Sequence, residues 1–248
     1  MNRVVKRSII ALIIVVVLVA CVLGVMVYRF VGETKKMTPL ASGKVVNGIY
    51  AVKDDFVNLY VVRAGDGFVV IDGANDAEKV RAELKKLEID PAKVLAVFLT
   101  HSDNDHVGAV KLFTAAKVYM GRAEEQMVNG KTVRMAVFHN AFDLAHELLD
   151  DGQTVAVGDV KVRAIATPGH TPGSTCFVVN DAYLFTGDTL GLSGGAVTAF
   201  NELFNMDTAG EIDTIKSKIL PLKGVKYVFT AHHGMSDDFG KAMASWKK

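Results

Sequence analysis

Cysteine is nearly absent from these 248 residues: there are two, Cys21 and Cys176, enough for one disulfide at most. Cys21 lies in an apolar N-terminal run and Cys176 in a strand-like stretch after a glycine-rich loop. The two are not expected to meet, so the fold must be held by its core, and a domain of roughly 200 residues buries enough apolar surface for that. Charge of one sign is lacking as well. Twenty-eight Lys and Arg stand against 27 Asp and Glu, a formal net charge of +1. That balance excludes the broad basic field of a nucleic-acid binder and the acidic tail of a protein with a basic partner. Low-complexity segments and short repeats are also missing, which excludes disordered arrays and solenoids. What remains is abundant apolar residue, half of the chain, and 22 glycines, which suit a fold with many tight turns.

The longest apolar stretch is N-terminal. Residues 9–27 carry no charge, with Arg3, Lys6 and Arg7 just before them. At a rise of ~1.5 Å per residue such a run spans a hydrocarbon core of ~30 Å. Tyr28 and Arg29 would anchor it at the interface, and the leading basic residues favour a cytoplasmic N-terminus. Arg29, Lys35 and Lys36 on the far side weaken that bias. Two readings stand: an uncleaved signal anchor over residues 1–30, or a lipoprotein signal with Leu18-Val19-Ala20-Cys21 as its cleavage box. The apolar run continues past Cys21, which favours the anchor. Either way, residues 31–43 read as a linker, and the domain from 44 to 248 is expected outside the cytoplasmic membrane and tethered to it.

From Lys44 the chain reads as strands with β-branched alternation, over 45–52, 57–63 and 67–71. Residues 77–87 have helical spacing, and 94–99 form a continuous apolar run, as a strand covered on both faces would. The middle is less legible: a strand over 117–120, then helices over 123–128 and 141–149. Strands return at 154–157, 160–167, 176–179 and 183–185, followed by an amphipathic helix over 208–219, a strand over 225–230 and a closing helix over 237–246. Strand-rich and helical stretches alternate twice, which suggests two packed sheets with helices outside.

The apolar run over 94–99 leads directly into His101-Ser102-Asp103-Asn104-Asp105-His106, four potential metal ligands in six residues. In an extended segment positions 101, 103 and 105 share a side, and a turn lets His106 join them. Imidazole with carboxylate suits zinc, iron or manganese. Three later stations each put such a group at a strand end: His170 in Thr167-Pro168-Gly169-His170-Thr171-Pro172-Gly173, Asp188 in Thr186-Gly187-Asp188, and the pair His232-His233 before Gly234. Taken singly, each reads as well as a turn or capping residue.

Together these stations resemble the metallo-β-lactamase superfamily, whose pattern is H-x-H-x-D-H, a G-H-T-P-G loop, a G-D and a late H-G. The resemblance covers roughly residues 44–240. It implies an α/β fold, a four-layer αββα sandwich preceded here by one transmembrane helix, with two divalent metal ions between the sheet edges. It places His101, Asp103 and His170 on one ion, Asp105, His106 and His233 on the other, and Asp188 as a bridge. His233 is chosen because it directly precedes the glycine, which leaves His232 as a neighbour behind the ligands. Asp72 matches a carboxylate that orients the metal loop. The implied chemistry is hydrolysis by a metal-bound hydroxide, with Asp105 also orienting the nucleophile.

Asp103 stands where the pattern has a second histidine. A carboxylate is the harder ligand and moves preference from zinc toward iron or manganese. The chain ends soon after His233, without the helical C-terminal domain with which glyoxalase II binds glutathione, so that substrate is not expected. The first hypothesis is a metallo-hydrolase acting on a small ester, thioester, lactone or phosphoester. The alternatives are a non-haem iron oxidoreductase of the same fold and a non-catalytic metal-binding module. No nucleic-acid partner is expected. His139 and His146 read as surface or cleft-wall residues, Phe200, Phe204 and Met206 as core or cleft lining, and Cys176 as a buried hydrophobe.

Overall fold

The computed structural model describes residues 2–134, 140 and 142–247, which fall into two compact units, one ending at Met37 and one beginning at Thr38. The first unit is helix α1 (Arg3–Thr34). Its stretch from Val5 to Thr34 is long and apolar enough to cross a membrane, with a mean hydropathy of 3.5 over an 18-residue window. It passes through Cys21 without a break. From Thr38 onward the chain is tied to the second unit: the Thr38 N–H donates to the His232 carbonyl, and Leu40 exchanges two hydrogen bonds with the Asn58 side chain.

Two sheets and their covering helices build the second unit. The first sheet has seven strands in sequence order: β1 (Gly43–Val46), β2 (Ile49–Asp54), β3 (Val57–Ala64), β4 (Gly67–Ile71), β5 (Val94–Leu99), β6 (Lys117–Gly121) and β7 (Glu147–Leu149). β1 to β4 form an antiparallel meander, and β4 to β7 are parallel. The second sheet contains β8 (Thr154–Val157), β9 (Val160–Ala166), β10 (Thr175–Val179), β11 (Tyr183–Phe185), β14 (Tyr227–Phe229) and β15 (Met235–Ser236). There β11 and β14 lie parallel and the other pairs are antiparallel. A separate ribbon, β12 (Leu190–Ser193) with β13 (Ala196–Ala199), had no clear signature in the sequence.

Three apolar clusters define four layers. One lies between the sheets, where Ile71, Ala96 and Phe98 of the first face Phe177, Phe185 and Phe229 of the second. A second covers the outer face of the first sheet with Val80 and Leu84 of α2 (Ala77–Lys86). The third covers the outer face of the second sheet. Its helical side is Ile215 and Ile219, which follow directly on α5 (Thr208–Thr214), and Phe239 and Ala242 of α6 (Phe239–Ala242). Two one-turn helices, α3 (Asn104–Val107) and α4 (Glu125–Val128), complete the α-helices among the described residues. This is the expected αββα sandwich. Cys176 is buried and free, and Cys21 is free.

Two expected elements differ: the single strand expected over 45–52 is split by a turn at 47–48 into β1 and β2, and the helix expected over 141–149 does not form. Residue 141 lies outside the described residues, and the rest of the helix expected over 141–149 is irregular chain leading into β7. Glu147 pairs with Tyr119 and Leu149 with Gly121, so the segment satisfies backbone groups on the open side of β6. A short apolar run carries no period long enough to tell an edge strand from a helix.

Candidate metal centre

Five strands end at one edge of the sandwich and deliver the polar groups. β4 gives Asp72, β5 gives His101 to His106, β9 gives His170, β11 gives Asp188 and β14 gives His232. Asp72 itself sits at φ 64°, a left-handed conformation costly for a side chain with a Cβ. In that conformation one carboxylate oxygen accepts the Thr100 N–H at 2.8 Å and the other lies 3.0 Å from His106 Nδ1. Gly187 is needed where it stands: its φ is +49°, and a Cβ there would lie 2.2 Å from Thr100 Oγ1.

Four imidazoles converge, each held from behind through Nδ1. His106 Nδ1 meets Asp72 at 3.0 Å, His101 Nδ1 meets Thr100 Oγ1 at 3.0 Å, His170 Nδ1 meets Asn205 Oδ1 at 3.2 Å, and His232 Nδ1 meets the Phe56 carbonyl at 2.7 Å. An acceptor at Nδ1 fixes the proton there and leaves the Nε2 lone pair facing inward. The inward nitrogens meet carboxylates. Asp188 spans the group, with Oδ1 3.0 Å from His232 Nε2 and 3.4 Å from His106 Nε2, and Oδ2 3.5 Å from His170 Nε2. Asp103 Oδ2 lies 3.1 Å from His170 Nε2 and 3.6 Å from His101 Nε2, and Asp105 Oδ2 lies 3.5 Å from His232 Nε2.

These atoms form three overlapping groups whose ligand atoms lie within 4.8 Å of one another: His101–Asp103–His170, His101–His106–Asp188 and Asp105–His106–His232. His101, His106 and His232 Nε2 and Asp188 Oδ1 are buried and make no hydrogen bond of ordinary geometry among the described residues. Buried polar atoms without partners are costly unless an ion completes them. The donor set therefore fits divalent metal, and its mixture of imidazole and carboxylate admits zinc, iron or manganese.

Charge follows the same pattern. Burial opposes the charged form of Asp188, yet the neighbouring His232, His106 and His170 hold its carboxyl well below the usual range. Asp103 is likewise buried, and the neighbouring His101 and His170 hold its carboxyl well below that range against the opposing effect of burial. Burial disfavours the His106 cation, but Asp188, Asp72 and Asp105 together raise it well above an ordinary histidine. His101 moves the other way, lowered by burial and by the His106 and His170 charges. Closely spaced carboxylates thus demand positive charge at the imidazole tips, the demand an ion meets.

The paired histidines require a correction. The motif singled out His233, with His232 behind the ligands; the structure brings His232 into the cluster and leaves His233 outside it. The chain bends over residues 231–233, and the two side chains leave the bend in different directions. His232 is fully buried in the cluster, whereas His233 is half-buried and packs its ring against Phe200 at 5.9 Å. The other residues singled out, His101, Asp103, Asp105, His106, His170 and Asp188, lie together, with Asp72 behind them.

Several participants carried no motif. Glu124 is fully buried, and its carboxylate accepts from the Ser102 N–H at 2.8 Å, the Ser102 hydroxyl and the Thr171 hydroxyl, tying the two ligand-bearing loops together. Asn140 donates to Asp103 Oδ1 at 2.8 Å. Asn205, behind His170, donates to Glu211, whose carboxyl is pushed up to about 8 by burial. Arg134 reaches both Asp103 and His170. Phe200 packs edge-on to His170 and tilted against His232, at 5.3 and 5.7 Å, and forms an apolar wall. His146 contacts Glu125, away from the cluster. His139 lies outside the described residues.

Comparison with known proteins points one way. The sequence profile of the metallo-beta-lactamase superfamily matches residues 52–232. A relative described as a probable polyketide biosynthesis zinc-dependent hydrolase, BaeB of Bacillus velezensis, is 30% identical over 162 residues, covering 64% of this chain and 65% of its own. A hydroxyacylglutathione hydrolase of Gloeobacter violaceus is 30% identical over 192 residues, covering 75% of this chain and 67% of its own. The match thus spans about two thirds of either relative. Among solved structures, a B3 metallo-beta-lactamase with an active-site glutamic acid superposes with a TM-score of 0.68 at 20% identity, covering 88% of this chain and 90% of that one. The B3 metallo-beta-lactamase BLEG-1 does so at 0.61 and 26% identity, covering 79% and 96%.

Proposed function

Because the chain belongs to the metallo-β-lactamase superfamily, we propose that it is a metal-dependent hydrolase of a small ester, thioester, lactone or phosphoester. The observation that carries the reading is the set of four imidazoles pinned through Nδ1 with Nε2 turned inward among carboxylates. On this reading His101, Asp103 and His170 hold one ion, Asp105, His106 and His232 hold the other, and Asp188 lies between. The relatives' names favour zinc, and the harder Asp103 admits iron or manganese. Ions bound there would supply a nucleophilic water near neutral pH and polarise the oxygen under attack.

The protein's own residues supply the rest. Asp105 is the most open of the cluster's carboxylates, with its side chain 24% exposed, so it can accept a proton from an incoming water and aim its lone pair. Asp188 keeps the two halves of the centre in register. Phe200 excludes water from one side, which strengthens the electrostatics inside. We further propose that α1 is an uncleaved signal anchor and that the domain works outside the cytoplasmic membrane. The basic residues in the first turns of α1, Arg3, Lys6 and Arg7, support that orientation.

The test uses the full-length protein in detergent, purified without added metal. Elemental analysis should find about two transition-metal ions per chain. A panel of thioesters (an acylglutathione among them, given the relatives' names), lactones, phosphodiesters and β-lactams should show turnover of at least one class. Less than about one ion per chain removes the metal reading. Full occupancy without turnover of any class would instead favour the oxidoreductase or the non-catalytic module. For location, protease added to intact spheroplasts should digest the domain, and full protection would refute the extracytoplasmic placement.

A further inference from the structure

We propose that Arg134 is a resident cation of this centre, competing with the ion that His101, Asp103 and His170 would hold, so that the centre fills in two unequal steps. The inference rests on reading the cluster as a metal site and adds the order in which it is loaded.

Arg134 Nε donates to Asp103 Oδ1 at 3.1 Å, and its Nη2 lies 2.9 Å from Oδ2 as an ion pair. The same Nη2 lies 2.8 Å from His170 Nε2. A guanidinium has donors and no acceptor, so His170 Nε2 must receive that hydrogen bond with its lone pair. This agrees with the Nδ1 proton facing Asn205 Oδ1. Asp103 Oδ2 and His170 Nε2 are 3.1 Å apart, both acceptors, with one cationic nitrogen shared between them. Two acceptors meeting at one positive centre is how two ligands meet at a metal ion, and here the positive charge is the protein's own.

The guanidinium is also anchored away from the cluster. Nη1 donates to the Phe204 carbonyl at 2.5 Å and Nη2 to the His170 carbonyl at 3.0 Å, and only 14% of the side chain is exposed. The two sides of the centre therefore differ. On one side, His106 Nε2, His232 Nε2 and Asp188 Oδ1 are buried without hydrogen-bond partners among the described residues; on the other, only His101 Nε2 is left so, while His170 Nε2 and Asp103 are satisfied by Arg134. An ion on the first side completes orphaned atoms. An ion on the second must first displace a charge-assisted partner and accept its repulsion nearby.

The experiment titrates cobalt(II) into the full-length, metal-stripped protein in detergent, followed by electronic absorption and by calorimetry. The wild type should take up two ions in separate steps, the second weaker by about tenfold or more, the scale on which an arginine shifts a neighbouring carboxylate. In Arg134→Gln, which keeps a polar amide and loses the charge, the second step should tighten toward the first, while Arg134→Lys should keep the gap. Circular dichroism and thermal unfolding establish that each variant is folded, and Arg134→Ala replaces Gln if that variant is not. Equal steps in the wild type, or an unchanged second step in the charge-free variant, would overturn the inference and leave the metal reading intact. Loss of the second step in that variant would also overturn it, because Arg134 would then be holding Asp103 in place for metal. Absence of cobalt binding in every protein would overturn both.

Discussion

Asp188→Asn is expected to lower kcat/KM by more than about a hundredfold, beyond what is usual when a group behind a metal ligand is removed. The substitution keeps the shape of the side chain and removes its charge. Asp188 is buried, its two oxygens reach three imidazoles, and those histidines hold its carboxyl far below the ordinary range. Its negative charge is thus the feature the surroundings are built around. On the proposed reading it is shared by both ions, so metal content should fall together with activity. Retention of activity to within about tenfold, at full metal content, would remove Asp188 from the centre.

The second large effect separates neighbours. His232→Ala should likewise cost more than about a hundredfold in kcat/KM with loss of metal, whereas His233→Ala should stay within about tenfold of the wild type. His232 is held by the Phe56 carbonyl and faces Asp188 and Asp105. His233 offers its backbone N–H to Thr230 Oγ1 and its ring to Phe200. An unpartnered nitrogen alone does not distinguish them, because His233 Nδ1 is also buried without a partner among the described residues. Direction does. Metal content measured beside kcat/KM decides the matter, and the reverse ranking would mean the segment after β14 is turned over relative to this structure.

The difference between that pair illustrates what could be read from the amino acids. The run from His101 to His106 was legible because its ligand types are close in sequence and follow an apolar strand. Asp72, His170 and Asp188 were legible because each follows a strand and matches a motif station. The choice between His232 and His233 was not, since both types are the same and their side chains leave a bend in different directions. Arg134, Glu124, Asn140 and Glu211 were illegible for another reason: each comes from a different element, has no fixed spacing to the ligands and becomes relevant only through tertiary approach. The sheets themselves were visible in β-branched alternation. β7 was not, because three residues cannot display a period, and its pairing to β6 is decided by which backbone groups remain open.

The centre also has a place in the sequence order of the fold. His101, Asp103, Asp105 and His106 follow a strand of the first sheet, while His170, Asp188 and His232 follow strands of the second. Every ligand group proposed above draws on both. An ion that binds them would join two halves of the chain folded from separate stretches, and binding restricted to the assembled pair adds its free energy to assembly. With Cys176 buried and alone, the domain has no covalent fastening across that seam. Metal would be its clasp, reversible and removable by a chelator, so that holding the sheets together and readying the chemistry become one event.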